Sequence, residues 1–407
     1  YRLQYNGTLS ESGGGGQFTL GGPNPEQSPF FQSPQLLPRL VRYHIRHPAL
    51  SYWFAPPYVG SASQSPRPDE GVRESFNELT VALEQLDRLA APEPEMIWRT
   101  LSPFLVDPAG NSHRAELNIE KLWNPYLPER GCLGLVEYRA FRMTRSPERA
   151  AAIAALLRTV AAMLSAQDRA PELSDWGPLL HDRFALPFYL QQDLDQVLAE
   201  LEAAGLGLGE PITRVLRQND LPTIGTAELE GRVLTLEHAL EFWPLLGDTA
   251  SQETGTSRLV DASTARLQLC LRSASGDSQA LAGWRLLVGD VEIPLRREQD
   301  AQGPARVFGL RYRSFVPGIG LHPSIGAQGP LELTLLPPNG TRALRITLHE
   351  WHPDGLPYPG LPASLKEAQA RRSARFRVQE LALAGPIQAS QAPARALTDY
   401  CLDLRRL

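Results

Sequence analysis

Two short stretches in which charged residues alternate with apolar ones constrain this chain more than anything else in it. They are Gly110-Asn111-Ser112-His113-Arg114-Ala115-Glu116-Leu117-Asn118-Ile119-Glu120-Lys121 and Leu135-Val136-Glu137-Tyr138-Arg139. Both read as β-strands. Successive side chains of a strand point to opposite faces, so period two places Arg114 with Glu116 on one face and Glu137 with Arg139 on another. A buried ion without a partner costs several kcal/mol. Something must compensate these groups: each other, water, or a charged ligand such as a metal ion with phosphate. Which of these it is decides the function.

The remainder of the chain says what can surround those strands. At 407 residues it is too long for one small core, and two domains are expected. No run of about 18 apolar residues occurs, so no membrane span is expected. A net charge of −5 argues against general nucleic-acid affinity. Cys132, Cys270 and Cys401 are too few and too scattered for a disulfide framework, and a reducing cytoplasm is the expected home. Lysine is avoided: Lys121 and Lys366 stand alone among 40 basic residues. Any one arginine is therefore weak evidence, whereas Lys121 beside the charged strands is notable. The chain opens at Tyr1 without a signal-peptide pattern, which suggests a piece of a longer protein.

Helical spacing of apolar residues covers residues 33–46, 74–89, 96–105, 150–166 and 190–204, the last stopping at Gly205, a glycine suited to a C-cap. Gln17 to Leu20 reads as a short strand after the glycine run Gly13 to Gly16. From about Ala227 the period changes, and strands are expected at residues 258–260, 266–271, 284–295, 307–313, 331–336 and 344–348, followed by a short helix at 363–375 and an Ala/Pro/Gln-rich tail. The expected organisation is an α+β region over 1–226, a β-rich accessory module over 227–385 and a C-terminal tail over 386–407.

Several chemistries are excluded by what is missing. No G-x-S-x-G elbow, CxxC or HExxH pattern occurs. The glycine run is followed by neither GK[ST] nor G-x-G-x-x-G spacing, so it is no Walker loop or dinucleotide fingerprint. Cys132, between a glycine and an apolar strand, reads as an inert thiol. Asn6-Gly7-Thr8 and Asn339-Gly340-Thr341 match a glycosylation pattern that carries weight only in a secreted chain.

A set of ordered motifs remains: Gly13-Gly14-Gly15 to Leu20-Gly21-Gly22, Ser28-Pro29-Phe30, His47-Pro48-Ala49-Leu50-Ser51-Tyr52, Ser63-Gln64-Ser65-Pro66-Arg67 with Asp69-Glu70, the two charged stretches, His181-Asp182-Arg183-Phe184 and His322-Pro323. Through these, nearly the whole chain resembles a bacterial amidoligase domain family, usually found C-terminal to a transglutaminase-like domain and related to glutamine synthetase and glutamate–cysteine ligase. The resemblance implies a glutamine-synthetase-like antiparallel sheet with helices, ATP and Mg²⁺ as cofactors, and carboxylate and amine substrates joined through an acyl phosphate. It implies metal on Glu137 and Glu116, phosphate on Arg139, Arg114 and Lys121, and nucleotide contacts from Gln17, His113, Gln64 and Arg67. The N-terminal transglutaminase-like domain of the same protein is the implied partner.

The chain also departs from the family. Relatives carry His and Arg before the glycine run, where this chain has Leu9 and Thr8. Where relatives carry Asn-His just after it, this chain has Gly16-Gln17, and Gln17 offers only a neutral carbonyl oxygen. Two readings stay open: an ATP-dependent carboxylate–amine ligase, and a ligase-derived binding or scaffolding subunit that has lost catalysis. The blandest account of Glu137 and Arg139, a salt-bridge pattern on a solvated sheet face, is worth only about 0.2–1 kcal/mol.

Overall fold

The computed structural model describes residues 2–3, 9–10, 16–89, 92–107, 110–127, 131–243, 263–314, 326–338, 341–385 and 387–407. The chain is mixed α and β, and it divides into two compact units. Leu9–Asp220, with Phe242, makes up the bulk of the first, and Leu221–Glu241 with Asp261–Leu407 the bulk of the second. Gly13 to Gly15, His322-Pro323 and the strand expected at 258–260 lie outside the described residues.

The first unit is helical around a small sheet. Strands β1 (Phe18–Leu20), β2 (Leu117–Asn118) and β3 (Val136–Tyr138) form an antiparallel ladder with β3 in the centre. Leu117, Val136 and Tyr138 are buried. Entry into β3 is fixed at Gly134, whose φ of +65° favours glycine. A Cβ there would meet the Ser28 side chain at 2.5 Å, and the Ser28 hydroxyl donates to the Gly134 carbonyl at 2.6 Å.

The helices follow the apolar spacing. Helix α1 (Leu36–Arg46) buries Leu36, Leu37, Leu40, Val41, Tyr43 and Ile45. Helix α2 spans Arg73–Arg88 and buries Leu79, Leu83 and Leu86 along one stripe. Helix α3 (Pro147–Ala166) begins with Pro147 in its first turn and Ser146 as N-cap, the Ser146 side chain accepting from the Arg149 backbone. By length and composition α3 is the one described helix apolar enough to cross a membrane, yet half of that window is buried in the fold, as in a core helix. Helix α4 (Pro187–Ala203) stops at Gly205, whose φ is +73°, with Leu206 N–H bonded to the Leu201 carbonyl at 2.9 Å. That is the left-handed C-cap expected from the glycine.

The second unit is a sandwich of two six-stranded sheets sharing one core. One sheet runs, in spatial order, Arg296–Asp300, Gly303–Arg313, Thr264–Ser273, Arg232–His238 and Thr223–Leu229, with Cys401–Asp403 pairing parallel to Gly303–Arg313. The other runs Phe376–Ala382, Arg342–Leu348, Leu331–Leu336, Arg285–Val288, Val291–Glu292 and Ser390–Gln391. Leu267, Leu269 and Leu271 alternate into the core beside Phe308 and Leu310, as period two requires.

Several features differ from the sequence reading, among them four strands it did not include, Thr223–Leu229, Arg232–His238, Arg296–Asp300 and Phe376–Ala382. The stretch expected as one strand over 284–295 holds two strands joined by the turn Gly289-Asp290, with Gly289 at φ +59°. The segment read as a closing tail supplies a strand to each sheet through Ser390–Gln391 and Cys401–Asp403. Both tail strands are very short, and a run of two or three residues carries no periodicity to detect.

Candidate functional site

The ladder of the first unit holds the charged strands. In its register Leu117 faces Tyr138 and Asn118 faces Glu137, with Thr19 on the other side of Glu137. The Arg139 N–H donates to the Glu116 carbonyl at 2.7 Å, carrying the pattern one residue further. Alternation then sets Glu116, Asn118, Glu137 and Arg139 on one face, with Leu117, Val136 and Tyr138 on neighbouring core positions. All four polar residues are buried: Glu116 2 %, Asn118 1 %, Glu137 4 % and Arg139 8 % exposed.

Expectation and structure part company at Arg114. The strand begins only at Leu117, and Ser112–Arg114 is a single 3-10 turn. The Asn111 side chain caps that turn by accepting from the His113 backbone at 2.9 Å, and Asp107 in turn accepts from the Asn111 N–H at 2.9 Å. Short polar side chains bonding their own backbone compete with a ladder, and here they win. Arg114 therefore does not share a strand face with Glu116, and the residue two positions from Glu116 that does is Asn118. No ion pair joins Arg114 to another described residue.

Glu137 is compensated from two sides. Arg139 Nη2 lies 3.0 Å and Lys121 Nζ 3.2 Å from its Oε2. Burial works against the charge, but these two cations outweigh it and hold the carboxyl below the usual range. Lys121 is the solvent-facing member, with 46 % of its side chain exposed.

Glu116 is different. Neither of its oxygens is held by a hydrogen bond of good geometry, and its ion pair to Arg67 Nη1 is long, 3.9 Å. Burial pushes the carboxyl up to about 8; Asp69 and Glu70 add to that, and Arg67 and the Ser51 hydroxyl pull against it. Across the ladder, Nε and Nη1 of Arg139 are likewise buried without an acceptor. Orphaned buried polar atoms are rare in native folds and call for an explanation.

Arg67, expected as a nucleotide contact, is instead the centre of a saturated internal network. Its side chain donates to Asp69 through Nε at 2.9 Å and Nη2 at 3.2 Å, to Ser51 at 3.0 Å, and to the carbonyls of His44 and Ile45 at 2.8 and 3.2 Å. The Tyr52 ring stands 5.3 Å from its guanidinium carbon. Nothing of the Arg67 side chain is exposed, so it can act on a ligand only through Glu116 and Asp69.

Past Asp69 the network opens into a cleft of about 400 Å³ bounded by Asp69, Glu70, Arg73, Phe76, Trp176 and His181. Glu70 accepts from the Tyr52 hydroxyl and faces His181 Nε2 at 3.5 Å; burial opposes its charge, but His181 and Tyr52 keep the carboxyl low. His181 stacks on Phe242 with ring centroids 4.0 Å apart. His181 entered the sequence analysis only as part of a motif, and its place beside Glu70 was not foreseen.

Gln17, Gln64 and His113 form a separate rim. Gln17 donates to the Gln64 side-chain oxygen at 2.9 Å, and Gln64 donates to the His113 carbonyl at 2.8 Å. The His113 ring is exposed and lies 3.6 Å from Glu120. Gln64 sits at φ +55°, a strained left-handed position that turns the Ser63–Arg67 loop inward. That loop meets the ladder where Glu116 N–H bonds to the Pro66 carbonyl at 2.9 Å.

Among the described residues no three His, Cys, Asp or Glu side chains come together to cage a metal. Glu116 and Glu137 are hard oxygen donors on one face, and Mg²⁺ is usually held by only one or two carboxylates plus water and phosphate oxygens. The donor chemistry fits such an ion, and the orphaned Glu116 oxygens are what it would engage.

A model of the family described as "Putative amidoligase enzyme" matches residues 2–405. No curated protein and no solved structure matches the chain. Because the family model spans almost every residue, including each charged strand and the Arg67 loop, the chain belongs to the amidoligase enzyme family.

Proposed function

We propose that the first unit is an ATP- and Mg²⁺-dependent carboxylate–amine ligase with a glutamine-synthetase-like site. The observation that carries this reading is the set of unsatisfied buried groups on one face of the ladder, the Glu116 carboxyl and two nitrogens of the Arg139 guanidinium. Bound Mg²⁺-ATP would supply the phosphoryl group that activates the substrate carboxylate. Glu116 and Glu137 would hold the cation; Arg139 and Lys121 would meet phosphate oxygens, where charge-assisted hydrogen bonds are strongest. Gln17, Gln64 and His113 would border the nucleotide, and Arg114 is kept as an outer phosphate contact.

In this scheme Glu116 is protonated when the site is free, because its pKa is near 8. As a ligand to a cation, Glu116 would act in its ionised form. The cleft beside Glu70 and His181 would admit the amine: Trp176 and Phe76 give it aromatic walls, and ionised Glu70 attracts an ammonium. The amine must lose a proton before its nitrogen attacks the activated carbonyl, and the His181 imidazole, once neutral, would accept it. A neighbouring transglutaminase-like domain would be the partner, and three free thiols suit a reducing cytoplasm.

One observation favours the rival reading, a scaffold derived from a ligase: Glu137 is already neutralised by Arg139 and Lys121. Calorimetric titration with Mg²⁺ and a non-hydrolysable ATP analogue separates the two. The ligase binds the nucleotide, and more weakly as Glu116→Gln or Glu137→Gln. Absence of heat at millimolar nucleotide overturns the ligase and leaves the scaffold.

A further inference from the structure

In the second unit the edge strand Arg296–Asp300 pairs with Gly303–Arg313 in a register that sets Arg297 directly opposite Arg306. Arg306 is also opposite Leu271, a core residue with no exposure, and shares its strand face with Phe308, Leu310 and Tyr312 of the core. Both side chains therefore share one face of the sheet, Arg306 half-buried at the margin of the core and Arg297 exposed on the edge strand. Like charges directly opposed across a strand pair are destabilising.

Nothing internal relieves them. Among the described residues neither arginine has a carboxylate within ion-pair distance. Arg306 Nη1 reaches only the Trp284 carbonyl, at 3.5 Å, and its Nε is buried without an acceptor. Burial first, and then the Arg297 charge, lowers the Arg306 pKa from its ordinary value. The nearby carboxylate, Glu298, is engaged with Arg296 at 3.3 Å.

Beside the pair is a cavity of about 530 Å³ bordered by Ser278, Gln279, Leu281, Arg297, Gln299 and Arg306. An inward charge on an edge strand guards against pairing with another sheet. That role needs one arginine and leaves the second, with the room beside it, unexplained.

We propose that this cavity is a binding site for a small anion bearing phosphate or carboxylate groups, clamped between the Arg297 and Arg306 guanidiniums. Gln299 and Ser278 supply neutral hydrogen bonds at its border, and the charge of Glu298, which also lines the cavity, is offset by Arg296 at 3.3 Å. The site is independent of the ligase reading, since none of its residues belongs to the ladder or the Arg67 network.

The test uses the full chain with inorganic phosphate and with citrate as probes, followed by calorimetry and thermal unfolding against chloride at matched ionic strength. Either probe, or both, should bind and raise Tm beyond chloride, and the stronger probe identifies the anion class. Arg297→Gln should weaken binding about tenfold, as loss of one charge-assisted hydrogen bond predicts. Arg297→Glu should raise Tm without any probe, by giving Arg306 its missing counter-charge, and should abolish the response. Binding of neither probe, or an equal response in Arg297→Gln, overturns the proposal. Arg297 is exposed, so these variants leave the fold intact.

Discussion

Arg67 and Arg139 are both buried arginines of the first unit, and they could hardly be treated more differently. Every side-chain nitrogen of Arg67 is committed: Nε to Asp69, Nη1 to Ser51, and Nη2 to Asp69 and the carbonyls of His44 and Ile45. Arg139 spends one nitrogen on Glu137 and leaves two buried without an acceptor. A saturated guanidinium cements elements that are distant in sequence. An unsaturated one, opposite an unsaturated carboxyl, is held ready for something that arrives later. Charge content alone does not separate these roles; the hydrogen-bond inventory does.

The comparison breaks most sharply at Arg67. Arg67→Met should cost about 3–5 kcal/mol by stranding Asp69 in the interior, read as a fall in the urea midpoint. A loss under about 1 kcal/mol would mean that the network is not structural. Next comes Glu116→Gln, whose effect depends on pH. The folded carboxyl titrates near 8 and the unfolded one near 4.5, so between those values the unfolded state releases a proton that the native state keeps. Stability that is full below about pH 4.5 is therefore lost as pH rises to 8, by a few kcal/mol. The glutamine variant should show a flatter profile, and should be the more stable protein at pH 9 relative to pH 5. Equal pH profiles in denaturant titrations would remove Glu116 as the odd carboxyl.

Smaller effects sharpen the picture at the surface. Lys121→Ala should change stability by less than about 1 kcal/mol, because the ammonium is half exposed. If Lys121 meets phosphate, nucleotide affinity falls about tenfold in calorimetry. Gln17→Ala removes an exposed hydrogen bond to Gln64 and should alter nucleotide affinity by no more than about threefold. A larger loss there would move the nucleotide from the ladder face to the rim.

Long, strongly patterned elements were readable before any coordinates. Leu79, Leu83 and Leu86 gave α2, Gly205 gave the end of α4, and the alternating leucines at 267, 269 and 271 gave a core strand. The candidate site was readable in part. Glu137 with Arg139 came from period two alone, and Lys121 from its rarity. Arg114 misled, because local bonding by Asn111 and Asp107 overrode the alternation. Asn118 was passed over as a neutral residue, although it shares the charged face.

What the sequence determined by itself is which charged groups share a strand face, since alternation is a property of neighbouring residues, while their burial came from the fold. Which of those charges find partners was decided by the tertiary structure. Arg67 meets Ser51 and the carbonyls of α1 across a gap of more than a dozen residues, and Glu137 meets Lys121 from 16 positions away. Arg297 faces Arg306 only because one register was chosen over another. Hydrogen-bond satisfaction is a three-dimensional count, and no spacing along a chain can supply it.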